Sequence, residues 1–325
     1  MRHVSRREVL AVLGSLSAGT CALAAEAFPG ERITFVVPFS AGGAADAVAR
    51  ALAEALRDKV SASIVIDNKV GGATVIGTQY VARSAPDGQT WLLLQNATTI
   101  NVALLPKGQM DVLRDFVPAA KIGKSFNYLV VAPDLPVKTL EEFIAYAKAR
   151  PGQLSYGSAG PGSTPHLGFE VFKQLTGIDV MHVPYKGMPP LLPDLMSGRL
   201  HVAYMPAALT VANAKSGKFR VLATVASSRS AELPEVPTLQ ELGYRGADVV
   251  NPFWAVGLPS GTPASIVRAV QNLVESAVKT PAFAQRLKPI GAEPEFLASQ
   301  ETSAFLAADV NNMKSIVAKL NLGQR

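Results

Sequence analysis

The stretch Ile33-Thr-Phe-Val-Val-Pro-Phe-Ser-Ala-Gly-Gly-Ala-Ala-Asp-Ala-Val-Ala-Arg50 decides the fold of this chain. Its first residues are mostly apolar and β-branched, which predicts a buried strand, and Pro38 ends the strand because proline cannot donate to a sheet. Gly42 and Gly43 predict a turn with positive φ, and Asp46 is placed to cap the helix that follows. A strand, a glycine turn and a helix predict an α/β protein. The turn is either an anion site at the helix N-terminus or an ordinary connection, and both interpretations stay open.

The first 27 residues are predicted to be a signal peptide. Arginines precede the apolar, small-residue run Val9–Ala25, and Ala-x-Ala cleavage patterns lie at the end of the segment. The run is short for a membrane anchor, and the Arg6-Arg7 pair leaves export by the twin-arginine route open. We therefore expect a periplasmic protein whose leader is cleaved near residues 25–27.

Composition bounds the class of protein. The chain has 325 residues, of which 48% are hydrophobic and 17% are charged, so it has enough apolar material for two folded domains. Its net charge is +6, and outside the predicted leader the Lys and Arg residues occur singly, without basic runs that contain aromatics, so no nucleic acid partner is expected. The single cysteine, Cys21, lies in the predicted leader, and no disulfide is expected.

The order of the predicted elements indicates two α/β lobes, the second inserted in the first. Strand and helix patterns alternate through the first part of the chain, which predicts a parallel sheet, and a new unit begins with the apolar run Leu129–Ala132. Val249–Val256 is then predicted to be a strand that returns to the first unit. Two lobes joined by two crossings predict a periplasmic-binding-protein fold with a hinge and a ligand cleft between the lobes. The predicted domains are 28–125 plus 250–325 for the first lobe and 126–249 for the second.

Three predicted loops lie where a ligand would bind. Residues 39–43 follow the first strand and residues 96–101 follow the third, and ligands of parallel sheets gather at the carboxyl ends of strands. In the second lobe, Ser158–His166 offers hydroxyl groups and glycines just before a predicted helix. Hydroxyls and helix N-termini from both lobes suit a carboxylate without a buried cation.

Short motifs along the chain carry a family resemblance. In the first lobe they are Val36-Val-Pro-Phe39, Gly42-Gly43 with Asp46, Asn68 with Gly71-Gly72, Pro86-Asp87-Gly88 and Asp115-Phe116. In the rest of the chain they are Tyr156–Gly160 through His166, His182-Val-Pro-Tyr-Lys-Gly187, Asp194-Leu195, Gly198, Arg229, Leu233-Pro234, Pro237-Thr238, Glu241-Leu242-Gly243 and Pro259-Ser-Gly-Thr-Pro263. In these residues the chain resembles the substrate-binding proteins of tripartite tricarboxylate transporters, the TctC-like or Bug family of periplasmic binding proteins.

The resemblance implies a monomer that closes its lobes on a small organic acid and delivers it to membrane permease subunits. Some family members instead inform a sensor kinase, which stays an alternative. Two loops would hold the ligand through backbone amides, hydroxyls and water, with no cofactor. The residues of the two loops taken as ligand-binding are Phe39, Ser40, Ala41, Gly42, Gly43 and Asp46 in the first lobe, and Ser158, Gly160, Gly162, Ser163, Thr164 and His166 in the second.

A second group of residues is expected at the far end of the ligand. Asn96, Thr98 and Thr99 of the first lobe and Met205 and Pro206 of the second carry few charges, so an apolar or neutral tail on the ligand is expected. Two segments depart from the family pattern. Ser40-Ala41 stands where prolines are common, and the Met-Pro-Ala-Ala-Leu segment that starts at Met205 stands where relatives are often more polar.

Several residues keep plainer interpretations. Tyr185, counted among the site residues, either lines the cleft or is merely exposed, and His182 is expected to be structural. His166 and Glu170 have metal-ligand spacing, but so few histidines remain outside the leader that no metal is expected. A hydrolase using a loop serine is the remote alternative. Neither Ser158 nor the other loop serine lies in a Gly-x-Ser-x-Gly elbow, so the chain is not expected to be an enzyme.

Overall fold

The computed structural model describes residues 28–106, 109–161, 163–226, 228–246 and 250–319. The predicted signal peptide and its cleavage region, the predicted site residue Gly162, and the end of the predicted second lobe at 247–249 lie outside the described residues. Among the helices of the described residues, none is both long enough and apolar enough to cross a membrane.

The described residues form two sheets. The strands are β1 Arg32–Val37, β2 Ser63–Asn68, β3 Thr90–Leu94, β4 Phe116–Ser125, β5 Asn127–Val131, β6 Ser155–Ser158, β7 Met181–Pro184, β8 Val202–Pro206, β9 Arg220–Val225, β10 Phe253–Pro259 and β11 Ala292–Ala298. The helices are α1 Ala44–Leu56, α2 Val75–Ala82, α3 Asn96–Leu104, α4 Val112–Asp115, α5 Leu140–Lys148, α6 Thr164–Thr176, α7 Leu192–Met196, α8 Ala207–Lys215, α9 Ala264–Val278, α10 Pro281–Leu287 and α11 Ser299–Lys319.

The first lobe contains a six-stranded mixed sheet in the order β11-β4-β10-β3-β1-β2. β1 is parallel to β2 and β3, so the carboxyl ends of these three strands meet at one edge. β10 is antiparallel to both β3 and β4, and β11 is antiparallel to β4. The prediction of a parallel sheet is therefore correct for β1 to β3 and wrong for the rest. The chain leaves the lobe along β4 and returns along β10, which makes these two neighbours run in opposite directions.

The core of the first lobe forms because β1 and β3 are apolar on both faces. Phe35 and Trp91 are fully buried on one face, with ring centroids 5.8 Å apart, and the apolar stripes of α1 and α9 cover them. On the other face, Leu92 and Leu94 pack against Val310 of α11. This sandwich fixes the end of β1, from which the first predicted ligand loop starts.

The second lobe contains a five-stranded sheet in the order β7-β6-β8-β5-β9. β6 is parallel to β7 and β8, while β5 is antiparallel to β8 and β9. Aromatic side chains dominate its core: Tyr156 of β6 stacks on Phe169 of α6 with ring centroids 4.0 Å apart, and Phe172 and Tyr204 pack beside them. The helix that follows the second predicted ligand loop is thereby fixed to the sheet.

The two sheets are joined by two crossings. β4 and β5 are separated by Phe126 alone, and the second crossing enters β10 at Phe253. Asn96, at the start of α3, holds that crossing: its Nδ2 donates to the Asn251 carbonyl at 2.8 Å, and its Oδ1 accepts the Phe253 N–H at 3.2 Å. The two-lobed α/β fold is confirmed. We keep 28–125 plus 250–325 and 126–249 as the proposed domain bounds, because no strand of either sheet lies across them.

Two local predictions are corrected. Residues 96–101 were expected to be a loop but form the start of α3, because Gln95 and Thr98 exchange side-chain and backbone hydrogen bonds as a capping box. Asp46 was expected to be a helix cap, but the N-cap of α1 is Gly43 and Asp46 lies in the first turn. Its carboxylate reaches back from there to the turn.

Candidate ligand-binding site

The carboxyl edges of the two sheets approach each other. α3 starts at the carboxyl end of β3 in the first lobe, and α6 follows the carboxyl end of β6 in the second. Leu167 of α6 packs in one apolar cluster with Ile100 of α3 and Met313 of α11, so the two helices meet near their N-terminal turns. The loops that leave β1 and β6 start at these same edges, and we propose that they border one cleft.

Asp46 holds the first loop, residues 38–43, from below. Its side chain is 3% exposed, and its carboxylate accepts hydrogen bonds from the Gly42 N–H at 2.9 Å, Arg50 Nε at 2.9 Å and Asn68 Nδ2 at 3.0 Å. Asn68 Nδ2 also donates to the Phe39 carbonyl at 3.0 Å. Burial alone would raise the pKa of Asp46, but the hydrogen bonds from Arg50, Gly42 and Asn68 outweigh it and hold the pKa below its usual value. The carboxylate is therefore ionised and structural.

The upper side of the first loop faces solvent. Ser40, Ala41, Gly42 and Gly43 are exposed, and Phe39 is half-buried against the core. Gly42 has φ of +82°, a conformation that disfavours a side chain, whereas Gly43 has φ of −80° and needs no glycine. Only the first glycine of the pair is required by the backbone, which corrects the prediction for the second.

Ser158 is the centre of the second loop. Its hydroxyl is fully buried and lies 2.7 Å from His182 Nε2, accepts the Gly160 N–H at 3.1 Å and lies 3.2 Å from the Gly160 carbonyl. That carbonyl also accepts the Ser163 hydroxyl at 2.6 Å and the Ser163 N–H at 3.2 Å. Gly160 has φ of +114°. These bonds close a tight turn that ends at Ser163, the N-cap residue of α6.

Two histidines lie behind this loop. His166, on the first turn of α6, is 8% exposed, and its ring lies 4.4 Å from the ring of His182. Burial lowers the pKa of His166 and lowers the pKa of His182 to about 4, so both imidazoles are neutral at neutral pH. Thr164, the first residue of α6, is half-buried at the cleft. Sequence reasoning placed His166 and Thr164 in the loop but missed His182, whose contact with Ser158 depends on the pairing of β6 with β7.

Tyr185 follows β7 and is half-buried beside the second loop. Its N–H donates to the Ser158 carbonyl at 3.0 Å, and its hydroxyl donates to Asp194 Oδ2 at 2.7 Å. Arg199 holds the other oxygen of Asp194 at 2.8 Å. Burial and the bond to Asp194 raise the pKa of Tyr185 to about 12, so its hydroxyl stays protonated. Tyr185 remains a predicted site residue, placed at the same sheet edge as Ser158.

The residues expected at the far end of the ligand have structural partners. The Thr98 hydroxyl donates to the Gln95 carbonyl at 2.5 Å, and the buried Thr99 hydroxyl lies 2.5 Å from Asp309 on α11. Asn96 holds the return crossing. Met205 is fully buried in the core beneath α8, so it offers no surface to a ligand, and Pro206 is half-buried at the start of α8. We therefore leave Met205 out of the proposed site. We propose that Asn96, Thr98 and Thr99 of α3 line the first-lobe side of the site.

A turn that was not assigned to the site shares the first lobe's edge. Ala73 and Thr74 both have positive φ, of 50° and 85°, which is uncommon for residues other than glycine and a strained conformation for threonine. Asn101 Nδ2 fixes the turn by donating to the Ala73 carbonyl and, at 3.1 Å, to the Thr74 hydroxyl. The only sequence signal was the pair Gly71-Gly72. Within the part of the chain that the structure describes, no group of three His, Cys, Asp or Glu side chains is arranged to hold a metal ion.

Two α/β lobes joined by two crossings are the fold of a solute-binding protein. The family model described as "Tripartite tricarboxylate transporter family receptor" matches residues 48–322, and the chain belongs to this family of TctC receptors. It is 35% identical to Protein BugT of Bordetella pertussis over 316 residues, which cover 95% of this chain and 96% of that protein. The resemblance seen in the sequence motifs is confirmed.

Solved structures agree with the fold. The structure described as "R. palustris Rpa4515 with adipate" is 33% identical, has a TM-score of 0.75 and covers 90% of this chain and 97% of that chain. The structure of MatC (Rpa3494) from Rhodopseudomonas palustris with bound malate is 28% identical, has a TM-score of 0.72 and covers 89% of this chain and 100% of that chain. Each of these two neighbours holds a carboxylate, adipate in one and malate in the other, and this chain shares their fold.

Proposed function

We propose that this protein captures a small carboxylate-bearing molecule in the periplasm by lobe closure and delivers it to the membrane subunits of a tripartite tricarboxylate transporter. The observation that supports the proposal is that each loop is fixed by hydrogen bonds at the carboxyl end of a strand, one by Asp46 after β1 and the other by Ser158 after β6. The family and the ligands of its two structural neighbours, adipate and malate, support a carboxylate as the ligand.

The carboxylate is bound by neutral groups in this proposal. The N-terminal turns of α1 and α6 present backbone N–H groups and the positive ends of their dipoles toward the cleft, and each such end stabilises an anion by about 0.3–1 kcal/mol. Ser40 and Thr164 add hydroxyl donors, whereas the Ser163 hydroxyl already donates to the Gly160 carbonyl. The Arg50 guanidinium is bonded to Asp46, so the ligand carboxylate is not paired with it in this proposal. A ligand that bridges both loops contacts more donors when the lobes are closed, and this differential contact drives closure.

The contact between Ser158 and His182 gives a hydrolase a specific observation in its favour. The 2.7 Å distance is that of a nucleophile and its base. Two facts favour binding instead. The Ser158 hydroxyl has no exposed surface, and it already accepts the Gly160 N–H. A buried oxygen in a closed hydrogen-bond network holds a loop better than it attacks a substrate.

The test is a calorimetric binding screen of the purified exported protein against mono-, di- and tricarboxylates, aromatic acids and neutral analogues of each. Binding of at least one carboxylate, with the neutral analogue at least about 10-fold weaker, is expected, since a tenfold change corresponds to about 1.4 kcal/mol. Failure of every carboxylate, in protein shown to be free of bound ligand, would refute the proposed ligand class. Transport would be tested by adding the loaded protein to vesicles that contain the membrane subunits.

A pair of glycine variants tests the location of the site. Gly42→Ala and Gly217→Ala both place a side chain at positive φ, +82° and +71°, with no atom within 4 Å of the new Cβ. Both variants are expected to lose about 1 kcal/mol of stability. Only Gly42→Ala is expected to weaken ligand binding, by about 10-fold, because Gly217 lies in an exposed turn after α8. Equal affinities in the two variants would show that the first loop does not bind the ligand.

A further inference from the structure

Two serine–histidine pairs lie at opposite ends of β6. At its start, the Ser155 hydroxyl lies 3.0 Å from His201 Nδ1, and the Ser155 N–H donates to the same nitrogen at 3.1 Å. At its end, the Ser158 hydroxyl lies 2.7 Å from His182 Nε2. The first pair lies at the end of β6 away from the proposed site, and the second lies directly under the second ligand loop. The two pairs make the same kind of contact, but only the second is next to the proposed site.

The hydrogen bonds around Ser158 can be assigned by counting donors and acceptors. The hydroxyl has one proton and two lone pairs. The Gly160 carbonyl is 3.2 Å away and already accepts both the hydroxyl and the N–H of Ser163, whereas His182 Nε2 is 2.7 Å away. The Ser158 proton therefore goes to His182 Nε2, and a lone pair of the same oxygen accepts the Gly160 N–H at 3.1 Å.

The surroundings of His182 keep its imidazole neutral, so one of its two ring nitrogens can accept a hydrogen bond. Its ring stacks between Tyr156 of β6, at 4.8 Å, and His166 of α6, at 4.4 Å. The other ionisable groups that face it are Glu170 and Lys173 of α6, which pair with each other at 3.0 Å while Glu170 also accepts the Tyr156 hydroxyl at 2.6 Å. Burial lowers the pKa of His182, as do Lys173 and, once it is protonated in acid, His166, against the opposing effect of Glu170. The imidazole is thus neutral and held in place by its neighbours.

We propose that His182 is the positioning residue of the second ligand loop: it orients the Ser158 hydroxyl so that the oxygen accepts the Gly160 N–H and holds the turn into α6. This inference rests on the proposed function of the loop. Gly160 has φ of +114°, and the turn after it sets Ser163 at the N-terminus of α6, where the ligand carboxylate is expected. Without His182 the Ser158 proton turns toward the Gly160 carbonyl and competes with Ser163 for it.

A double-mutant cycle tests the proposal in the full exported protein, with the best ligand from the screen. His182→Phe keeps a ring for stacking but removes the acceptor, and Ser158→Ala removes the hydroxyl. Each is expected to weaken binding by about 10-fold, and the double variant also by about 10-fold, because His182 acts only through Ser158. His182→Gln, which can place an amide oxygen near the position of Nε2, is expected to restore affinity to within about 3-fold of wild type.

The matched control is the second pair. Ser155→Ala and His201→Phe remove a bond of the same type at the other end of β6 and are expected to leave affinity within about 2-fold of wild type. Losses that multiply to about 100-fold in the double variant, or a full loss in His182→Gln, would overturn the proposal, because His182 would then act through general packing. Wild-type binding is measured first: failure there refutes the ligand class, whereas normal wild-type binding with an unaffected His182→Phe refutes only this inference.

Discussion

Replacing Asp46 tests how the first loop is held. Asp46→Ala removes the acceptor of three hydrogen bonds, from the Gly42 N–H, Arg50 Nε and Asn68 Nδ2. A hydrogen bond to a charged group contributes about 1.5–3 kcal/mol. Arg50 is 54% exposed and Gly42 is exposed, so both donors find water again in the variant, and only Asn68 is left short of a partner. The expected loss of unfolding free energy is therefore about 2–3 kcal/mol, and not the sum of three bonds.

The assay is urea unfolding followed by tryptophan fluorescence. Both tryptophans of the chain, Trp91 and Trp254, are buried in the core of the first lobe, so the signal reports the lobe that contains Asp46. Ligand affinity is measured on the same samples and is expected to fall by about 10-fold or more, because the Gly42 turn is released. Asp46→Asn keeps one acceptor oxygen and is expected to lie between wild type and Asp46→Ala.

The pH dependence has a definite sign. The pKa of Asp46 is lower in the folded protein than in the unfolded chain, so its stabilising contribution is present above the unfolded pKa of about 3.9 and is lost as pH falls through the folded pKa. The stability gap between wild type and Asp46→Ala is therefore expected to shrink in acid. Asp115 is a matched control, since it is held by Arg114 at 2.6 Å and by the Asp111 N–H at 3.0 Å, away from the cleft.

The reasoning is refuted if stability and ligand affinity do not fall together in Asp46→Ala. Asp115→Ala is expected to lose stability but to keep its affinity. If Asp46→Ala loses stability and keeps wild-type affinity as well, the carboxylate supports the fold alone and the first loop does not need it. If both properties are unchanged, the hydrogen bonds counted here contribute nothing measurable.

Two further variants probe stability. Burial raises the pKa of Asp309 to about 6 against the hydrogen bond from Thr99, so wild type gains stability as pH falls through 6 toward the unfolded pKa. Asp309→Asn is expected to be more stable than wild type by up to about 3 kcal/mol near pH 7.5 and equal to it near pH 4. Urea midpoints of the variant and wild type that differ by the same amount at both pH values would contradict this. Gly168→Ala would place a Cβ 2.8 Å from the buried Tyr204 ring. The unfolding free energy is therefore expected to fall by about 1–3 kcal/mol, although alanine has the better helix propensity. A urea midpoint at or above that of wild type would contradict this.

Local sequence signals predicted the fold around the first loop well. The strand ending at Pro38, the glycine turn and the helix through Leu56 lie within one continuous stretch, so short-range rules were sufficient. Gly42 shows the limit of those rules, because the sequence does not say which glycine of a pair takes positive φ. The start of α3 was missed for a related reason: Gln95 is a rare capping residue, and only its exchange with Thr98 identifies the boundary.

The second half of the site depended on tertiary pairing. His182 lies 24 residues after Ser158, and the parallel register of β6 with β7 sets His182 opposite Tyr156 and brings Nε2 to the hydroxyl. No short-range pattern contains that register. The placement of Met205 at the ligand did not foresee its burial for a different reason. β8 is the central strand of its sheet and is buried on both faces. An apolar residue on such a strand belongs to the core whichever way it points, so alternation could not place it at the cleft.

The way the two loops are held bears on how a receptor can release its ligand. Arg50 and Lys173, two cations close to the loops, are bonded to Asp46 and Glu170, and His166 and His182 are neutral. In the proposed function the ligand carboxylate therefore meets amides and hydroxyls, whose bonds can be exchanged for water as the lobes open. A buried ion pair with the ligand would have to be separated in a water-poor cleft, which costs several kcal/mol. Affinity built on neutral donors from both lobes is instead lost as soon as one lobe moves away, so opening the cleft at the membrane is sufficient for delivery.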